Sequence, residues 1–523
     1  MTPARRPTGP IILALDVGTT GVKAVAFDLA SPWRHVAIRE YPLLEPQPGW
    51  QVQDPESMMS ATTAAAGECT SVVGGAEVIA VAVSAAMHGL LALDAALRPL
   101  TPLITWADAR ASQQARFLQT SGQAGELHRT TGTPIHPMTP LTKLMWFAQN
   151  EPQTWTRARW WIGLKDYLLY QLTGTLVTEL SSASGTGLLD MATRTWSPAA
   201  TALSGVSMDQ LPPIVATTAT LTLSPGAAQQ VALPAGLPVI AGAADGPLGN
   251  LGTRAITPGV AGLSLGTSGA IRMAVPKPQV DEGGALFCYA LTDSVWVVGG
   301  AVSNGGVVIR WAGDSLAPDV SAPAGGLADE ALLSLAATVP PGSDGLVMVP
   351  YLLAERAPLW DPDLPGAYLG LRREHTRAHL IRAAVEGVCR QLAVITDSLD
   401  RIAPVTSVRV TGGTFRSPLW REVMAASLNR PLHLVAAAEG TALGAAALGL
   451  FALGRATQLT DAVDQLTPAD QPAEMTINPD AAMATTYAEL RGSIPRLIAG
   501  LHAVASLFAG EAASRPTTNV RNR

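Results

Sequence analysis

The sequence predicts an α/β protein with two large domains. The chain has 523 residues, whereas a single hydrophobic core stops growing at about 250 to 300 residues. Short β-branched runs alternate with longer helical stretches, which is typical of α/β architecture. A Gly-Thr turn between two apolar runs also occurs twice, at Thr19 and at Thr267. The sequence therefore predicts one such turn in each domain.

The two Gly-Thr turns belong to a weak internal repeat. Residues 15–21 read Leu-Asp-Val-Gly-Thr-Thr-Gly and residues 263–269 read Leu-Ser-Leu-Gly-Thr-Ser-Gly, an offset of 248 residues (264 − 16). The flanking apolar runs predict a strand, a tight turn and a strand in each copy. Such turns expose backbone N–H groups and hydroxyls to an anion, and glycine lets a phosphate approach closely. A lone turn more often just closes a hairpin, but two copies could hold one triphosphate from both sides.

Hydrophobic periodicity and Gly/Pro punctuation predict the other elements. The predicted strands are 78–84 and 408–411, and the predicted helices are 140–150, 375–402, 417–429 and 441–454. The last helix is Gly/Ala-rich and too short to span a membrane. We expect a sugar-binding domain at 8–254, a nucleotide-binding domain at 255–505 and a disordered tail at 506–523.

Charge and cysteine content exclude several classes of partner. The formal net charge is −6, from 35 Lys+Arg and 41 Asp+Glu, and no long basic run occurs. Nucleic acid and membranes are therefore not expected as partners. Cys69, Cys288 and Cys389 are isolated, as expected where thiols stay reduced, which predicts a cytoplasmic protein. Whether the chain forms a homodimer is left open by the sequence.

The turns occur without the other common phosphate-binding motifs. No Gly-x-x-x-x-Gly-Lys-(Ser/Thr) loop and no protein-kinase motif set is present. Asp16-x-Gly-Thr-Thr-x-x-Lys23, Gly266-Thr-Ser268 and Gly412-Gly-Thr414 instead resemble the nucleotide site of the sugar-kinase, actin and Hsp70 ATPase superfamily. That resemblance implies two ribonuclease H-like domains with a cleft between them.

Two longer patterns resemble one family in particular. The first reads Met138-x-Pro-x-x-Lys-Leu-x-Trp-Phe-x-Gln-Asn150, and the second runs from Gly366 to Glu386. Between them lie Gly305-Gly306 and Glu355-Arg-x-Pro358. Together these segments resemble the FGGY carbohydrate kinases over nearly the whole chain. The resemblance implies an ATP-dependent kinase for a small sugar or sugar acid.

Asp245 is the predicted catalytic base. The segment Gly242-Ala-Ala-Asp245 is similar to the family segment that carries this residue. Its carboxylate would remove the proton from the acceptor hydroxyl, which requires hydrogen-bond contact with that hydroxyl. Without the resemblance, an aspartate in a Gly/Ala loop is more often a turn or capping residue.

The same resemblance implies four residues on the sugar side. Met87 and His88 match a substrate-contacting segment, and Trp106-Ala-Asp108-x-Arg110 matches another. The indole would form a wall and Asp108 would accept a hydrogen bond from a substrate hydroxyl. The alternatives are a structural histidine at a strand end and a buried tryptophan next to a surface ion pair.

The nucleotide side is also implied by the resemblance. Mg²⁺ is expected at Asp16, held through water. The residues expected to contact ATP are Thr19, Thr20, Gly21, Lys23, Gly266, Thr267, Gly306, Arg310, Gly412, Gly413 and Ser417.

The stretch Thr131–Leu141 decides the predicted substrate, because it closely resembles gluconokinases of the family. D-gluconate carries a carboxylate, so its pocket needs an extra donor or cation. His136 is the candidate, with a loop residue that never meets ligand as the alternative, and Met138 is a further expected contact. Phosphorylation of D-gluconate to 6-phospho-D-gluconate is therefore predicted.

Other functions stay open. A xylulokinase is the second hypothesis, because Met87-His88 also fits that enzyme. A non-catalytic ATP-binding sensor of the same fold is a remote third, since retention of Asp245 argues against it. An actin-like filament or a chaperone is weaker still.

Overall fold

The computed structural model describes residues 7–73, 77–320, 328–435, 439–467 and 475–512. Two mixed β-sheets organise these residues, one built from the first half of the chain and one from the second. Within the described ranges, no helix is both long and apolar enough to cross a membrane.

The first half supplies fourteen of the strands and ten of the helices that the structure describes. Its strands are β1 (Ile11–Val17), β2 (Gly21–Asp28), β3 (Arg34–Glu40), β4 (Val52–Gln53), β5 (Val78–Ala85), β6 (Leu91–Leu93), β7 (Leu103–Ile104), β8 (Trp160–Ile162), β9 (Thr178–Glu179), β10 (Leu189–Asp190), β11 (Thr195–Trp196), β12 (Ile214–Val215), β13 (Thr220–Thr222) and β14 (Pro238–Ala244). Its helices are α1 (Pro55–Val73), α2 (Ser112–Thr120), α3 (Ala124–Thr131), α4 (Pro140–Asn150), α5 (Pro152–Arg157), α6 (Leu164–Thr173), α7 (Leu180–Ser184), α8 (Pro198–Ser204), α9 (Pro225–Val231) and α10 (Asp245–Gly252).

The first sheet has the strand order β13-β14-β5-β1-β2-β3. Strands β14, β5 and β1 are parallel, whereas β1, β2 and β3 form an antiparallel meander. Because the carboxyl ends of parallel strands meet at one edge of a sheet, three polar residues come together there: Asp16 in β1, Ser84 in β5 and Asp245 directly after β14.

The second half repeats this arrangement with additions. Its strands are β15 (Val260–Leu265), β16 (Gly269–Val275), β17 (Phe287–Ala290), β18 (Trp296–Val302), β19 (Val347–Val349), β20 (Ala367–Leu369), β21 (Ser407–Thr411), β22 (Leu432–Leu434) and β23 (Met475–Ile477). Its helices are α11 (Val307–Leu316), α12 (Ala328–Ala337), α13 (Arg377–Ile402), α14 (Pro418–Leu428), α15 (Gly440–Ala452), α16 (Leu459–Leu466), α17 (Ala481–Gly492) and α18 (Ile494–Ala512).

The second sheet has the order β17-β18-β16-β15-β21-β22-β23. The hairpin β15–β16 corresponds to β1–β2, and β21 lies parallel to β15 as β5 lies parallel to β1. Ser264 occupies the place in β15 that Asp16 occupies in β1, as the offset of the internal repeat requires. The predicted pair of hairpins is confirmed.

Helices cover the two faces of the first sheet from different parts of the chain. One face packs against α1, α6 and α9. The other packs against α10 and α15, and α15 comes from the second half of the sequence. Glycines allow these two helices to touch, because a Cβ added at Gly252 would lie 1.8 Å from the Gly440 carbonyl oxygen and one added at Gly444 would lie 2.0 Å from that of Leu248. Each sheet therefore takes its strands from its own half, but the first sheet takes a core helix from the other half.

The other predicted elements are found with small shifts at their ends. The predicted strands correspond to β5 and β21, and the predicted helices to α4, α13, α14 and α15. Residues 506–512, the first part of the expected disordered tail, continue α18. Residues 513–523 lie outside the described part of the chain.

Candidate active site

A cleft of about 310 Å³ lies where the two halves of the molecule face each other. It is lined by eight of the residues predicted from the sequence: Thr19, Met87, His88, Trp106, Met138, Asp245, Gly266 and Gly412. The cleft thus joins the residues expected on the sugar side to the two Gly-Thr turns.

Asp245 stands at the floor of this cleft as the first residue of α10. One of its carboxylate oxygens accepts a hydrogen bond from the Gly246 amide at 2.8 Å. Burial raises the pKa of Asp245 above its usual range, although the nearby positive charge of Arg272 opposes that shift. A carboxylate in this state is a stronger base than one in water.

The backbone that leads to Asp245 is locked by a β-bulge. Gly242 has φ of 76°, and an added Cβ would lie 1.7 Å from the Val83 carbonyl oxygen, so only glycine fits. The buried ammonium of Lys165 donates to the Val83 carbonyl at 3.1 Å and to the Ala243 carbonyl. It also lies 3.5 Å from the Glu179 carboxylate. The interior of the first domain therefore fixes the chain just before the predicted base.

Asp16 lies close to Asp245 at the end of β1. Its carboxylate accepts a hydrogen bond from the Ser84 hydroxyl at 3.0 Å. Burial, followed by the negative charge of Asp245, raises the pKa of Asp16 to about 6, and the charge of Lys23 opposes this. Lys23 is directly opposite Asp16 in the β1–β2 register. The pair of carboxylates is thus an electrostatically unfavourable arrangement that a cation would relieve.

Side chains fix the first Gly-Thr turn. The Trp106 indole N–H donates to the Thr19 hydroxyl at 2.8 Å. The Tyr41 hydroxyl donates to the Gly18 carbonyl, and the Gln53 amide donates to the Thr19 carbonyl, each at 2.6 Å. Thr20 is exposed. Trp106 therefore lines the cleft, as predicted, and also holds the turn.

Backbone contacts fix the second turn instead. The amides of Gly305 and Gly306 donate to the carbonyls of Thr267 and Gly266 at 3.1 and 2.7 Å. Gly412 has φ of 114° and lies against Leu265, whose carbonyl oxygen would be 2.0 Å from an added Cβ. Three glycine-rich loops consequently converge at one edge of the second sheet.

The remaining residues predicted to contact ATP surround these loops. Gly413 and Arg310 are exposed, the latter in the first turn of α11, and Ser417 is the residue that precedes α14. Neither Arg310 nor Ser417 lines the cleft itself, so both stay predictions for the outer part of a nucleotide.

His88 presents a neutral imidazole to the cleft. Its Nδ1 lies 2.7 Å from the Gly185 carbonyl oxygen, so Nδ1 carries the proton and Nε2 is an acceptor. Burial lowers the pKa of His88 to about 3. Lys143 does not reach the cleft, because its ammonium donates to the carbonyls of His88 and Thr105 at 2.7 and 2.8 Å. Lys143 thus positions His88, whose backbone has φ of 64°.

The structure does not bring Asp108 into the cleft. Its side chain is fully buried, and its two oxygens accept hydrogen bonds from the Arg110 guanidinium, both at 2.8 Å, and from the Gln51 amide at 2.8 Å. The predicted hydrogen bond to a substrate hydroxyl is not supported by this arrangement, because the carboxylate is already saturated. Its role is to hold the segment that carries Trp106.

His136 also differs from its predicted role. It is buried behind the cleft, where its Nδ1 accepts a hydrogen bond from the Met138 amide at 3.2 Å. Burial, followed by the charge of Arg356, lowers the pKa of His136 to about 3. A neutral imidazole cannot supply a cation for a substrate carboxylate, but the His136 Nε2, which has no hydrogen-bond partner among the described residues, stays a predicted donor.

The cleft contains residues that were not predicted as site residues. These are Arg272, Arg356, Phe287 and Tyr289. Arg272 interrupts the apolar strand Gly269–Val275, and a single charge within a buried strand is a signal that the sequence did offer. Arg356 belongs to the Glu355-Arg-x-Pro358 segment, to which no role was assigned.

Comparisons with known proteins agree with this geometry. Family models for the FGGY carbohydrate kinases match the chain with their N-terminal domain at residues 11–252 and their C-terminal domain at residues 261–453. The gluconokinase of Bacillus subtilis is 39% identical over 452 residues, which cover 85% of this chain and 88% of that protein. The xylulose kinase of Lactococcus lactis is 30% identical over 465 residues, or 88% of this chain and 90% of its own length.

A solved structure extends the similarity to the fold. The gluconate kinase of Lactobacillus acidophilus superimposes with a TM-score of 0.89 and 31% identity, covering 96% of this chain and all of that one. The predicted two-domain fold of the sugar-kinase, actin and Hsp70 superfamily is confirmed. Kinases of this kind take their phosphoryl group from ATP and transfer it to an alcohol. The chain therefore belongs to the FGGY family of carbohydrate kinases.

Proposed function

We propose that this protein phosphorylates D-gluconate, with ATP as the donor, at its terminal 6-hydroxyl. The observation that carries the kinase chemistry is the position of Asp245, which lies in the cleft between the sugar-side residues and the glycine-rich loops. Gluconate as the acceptor is supported by the greater identity to a gluconokinase, 39%, than to a xylulose kinase, 30%.

In the proposed reaction, Asp245 removes the proton from the acceptor hydroxyl as that oxygen bonds to the γ-phosphorus. The bond from the γ-phosphorus to the β–γ bridging oxygen breaks, and ADP leaves with that oxygen. Phosphoryl transfer depends mainly on alignment and on charge neutralisation. The amides of Gly266 and Gly306 already donate to the carbonyls of Ser268 and Gly266, so the neighbouring N–H groups of Thr267 and Gly413 are the ones suited to bind phosphate oxygens. His88 would orient a substrate hydroxyl through its Nε2.

Mg²⁺ fits the residues at the end of β1. Burial and the negative charge of Asp245 raise the pKa of Asp16 to about 6, and a cation bound there would oppose both effects. Among the described residues, no cluster of three or more His, Cys, Asp or Glu side chains could hold a metal alone. Mg²⁺ commonly uses one or two carboxylates together with water and phosphate oxygens, so Asp16, with Asp245 nearby, would be its protein contact. When bound, the ion would neutralise phosphate charge.

D-xylulose is the second candidate substrate. Met87 and His88, which also match the xylulokinase pattern, both line the cleft. A non-catalytic sensor or a filament protein has less support, since neither would require a carboxylate with the environment of Asp245.

The proposal is tested by ADP release with D-gluconate, D-xylulose, L-ribulose and glycerol as acceptors. We expect D-gluconate to give the highest kcat/KM and Asp245→Asn to lower kcat by about 100- to 10,000-fold. Asp209→Asn, at an exposed aspartate, is the matched control. If no polyol raises ADP release above the basal rate, the kinase assignment is wrong. A strong preference for D-xylulose would overturn the gluconate assignment alone.

A further inference from the structure

The cleft contains an arginine, Arg272, that forms no ion pair with any residue in the described part of the chain. Arg272 lies in the middle of β16, opposite Gly262 in β15 and Gly299 in β18. A Cβ added at Gly299 would lie 2.8 Å from the Arg272 Cγ, so this glycine makes room for the arginine stem. The guanidinium passes Gly246, where an added Cβ would lie 3.4 Å from Nε, and lines the cleft.

The Arg272 guanidinium is available to a ligand. Within the described ranges, the Arg272 guanidinium donates no hydrogen bond and forms no ion pair with a carboxylate. Asp245 is near enough to stabilise its charge but does not pair with it. A guanidinium without partners in a partly desolvated cleft is costly, which makes an anionic ligand the expected complement.

Arg356 is a second guanidinium in the same cleft, and it is held in place. Its Nε donates to the Ser303 hydroxyl at 3.2 Å and one Nη donates to the Val302 carbonyl at 2.8 Å. Its central carbon lies 4.8 Å from the centre of the Trp106 ring. The adjacent Glu355 carboxylate accepts hydrogen bonds from the amides of Ser303 and Arg356 and from the Asn304 side chain, not from the Arg356 guanidinium, although its negative charge still stabilises that guanidinium.

We infer that Arg272 and Arg356 together bind the carboxylate of a sugar-acid substrate, an inference that rests on the proposed function. Both guanidiniums line the cleft, and that of Arg272 forms no ion pair within the described ranges, so together they provide a site for an anionic group of the substrate. Both imidazoles of this region are neutral, since the pKa values of His88 and His136 lie at about 3. Guanidinium binds carboxylate through paired hydrogen bonds, and Arg272 has such donors available.

The transferred phosphoryl group is a competing anion, and the experiment separates the two. Arg272→Gln is compared with wild type on D-gluconate and on D-glucitol, which keeps the hydroxyls at C2 to C6 and has a hydroxymethyl group in place of the carboxylate. We expect KM for D-gluconate to rise about 10- to 100-fold, with KM for ATP and the turnover of D-glucitol little changed. Arg272→Lys keeps the positive charge but not the paired N–H donors of the guanidinium, so it should raise KM for D-gluconate less.

The controls separate a binding effect from a folding effect. Arg98→Gln removes an exposed arginine paired with Asp94. This variant should leave the kinetics with both D-gluconate and D-glucitol unchanged. Thermal unfolding of each variant, with and without ATP, checks that the fold is intact. If Arg272→Gln does not fold, Arg272→Lys is tested in its place, and its effect on the reaction with D-gluconate is compared with its effect on the reaction with D-glucitol.

Two results would overturn the inference, and they differ in scope. If Arg272→Gln impairs the reaction with D-gluconate and with D-glucitol equally, or raises KM for ATP, the guanidinium acts on the phosphoryl group. The proposal that D-gluconate is the substrate would then survive. If the wild-type enzyme phosphorylates D-xylulose but no sugar acid, the carboxylate contact and the proposed substrate are both wrong.

Discussion

The hairpins β1–β2 and β15–β16 share a turn sequence but differ in what surrounds it. The first carries Asp16 and Lys23 on facing strands, and its turn is fixed by the side chains of Tyr41, Gln53 and Trp106. The second has Ser264 in place of Asp16, and backbone amides of a neighbouring glycine loop fix its turn. The turn of the first hairpin is therefore held by polar side chains and that of the second by neighbouring backbone, although strand β16 of the second hairpin carries the cleft residue Arg272.

Because of this difference, we expect the two hairpins to serve different tasks. Backbone N–H groups bind phosphate without changing their charge with pH, whereas carboxylates can accept protons and contact a metal. The first hairpin should therefore control the chemical step, and the second should control nucleotide affinity.

The largest expected effect comes from substituting Asp16 and Ser264, the matched positions of the two hairpins, one at a time. Asp16→Asn should lower kcat on the order of 100- to 1,000-fold, because the proposed metal contact is lost. Ser264→Ala, at the equivalent place in the second hairpin, should lower it by at most about tenfold. Steady-state ADP release at saturating ATP measures both. Equal losses would show that the hairpins do not divide the work as described.

The buried charges behind the first domain's edge should dominate its stability. Lys165→Met leaves Glu179 buried without its ion-pair partner, so the free energy of unfolding should fall by about 3 to 5 kcal/mol. Lys143→Met removes an ammonium that donates to the carbonyls of His88 and Thr105. The free energy of unfolding should fall by about 1 to 3 kcal/mol. Urea unfolding compares them, and a larger loss at Lys143 would contradict the prediction.

Adjacent glycines test the backbone side of the comparison. Gly412→Ala should destabilise the fold by about 2 to 3 kcal/mol. The added Cβ would meet the Leu265 carbonyl, and alanine rarely adopts the φ of 114° found at this position. Gly413→Ala has open space around its Cβ, so stability should stay the same while KM for ATP rises if the loop holds phosphate. Unchanged ATP kinetics for a folded Gly413→Ala enzyme would remove this loop from the nucleotide site.

The smallest effect concerns pH and stability without ligand. The pKa of Asp16 is raised to about 6, so the folded state holds this proton more tightly than the unfolded state. As pH rises from about 4 to 6, the unfolded chain loses the proton first and the fold loses stability. Asp16→Asn should therefore raise the free energy of unfolding at pH 7 by about 1 to 2 kcal/mol, allowing for partial exposure.

This gain should shrink strongly as the pH falls to 4 and disappear at lower pH, where the carboxyl is protonated in both states. Ser264→Asn, at the matched position, should show no such pH dependence. Urea unfolding at pH 7 and pH 4, without nucleotide, gives the comparison. A gain that persists at pH 4 would assign the effect to packing instead of charge.

Local patterns made much of this architecture predictable. The repeated turn predicted both hairpins, and the helix at 140–150 has the predicted ends. Partners in space were harder to predict. Asp108 was expected to meet substrate, but it pairs with Arg110 only two residues away. His136 lies in the predicted loop, but burial removes its charge. Arg272 was missed because an apolar strand was considered as a whole.

Helix α15 sets a condition on how the chain folds during synthesis. Its residues cover one face of the first sheet, where Gly449 lies against Ile12, yet they leave the ribosome about 200 residues after the last strand of that sheet, β14. At translation rates of about 5 to 20 residues per second, the amino-terminal sheet waits on the order of 10 to 40 seconds with this face covered by α10 but not by α15. The nascent chain should therefore expose apolar surface during that interval.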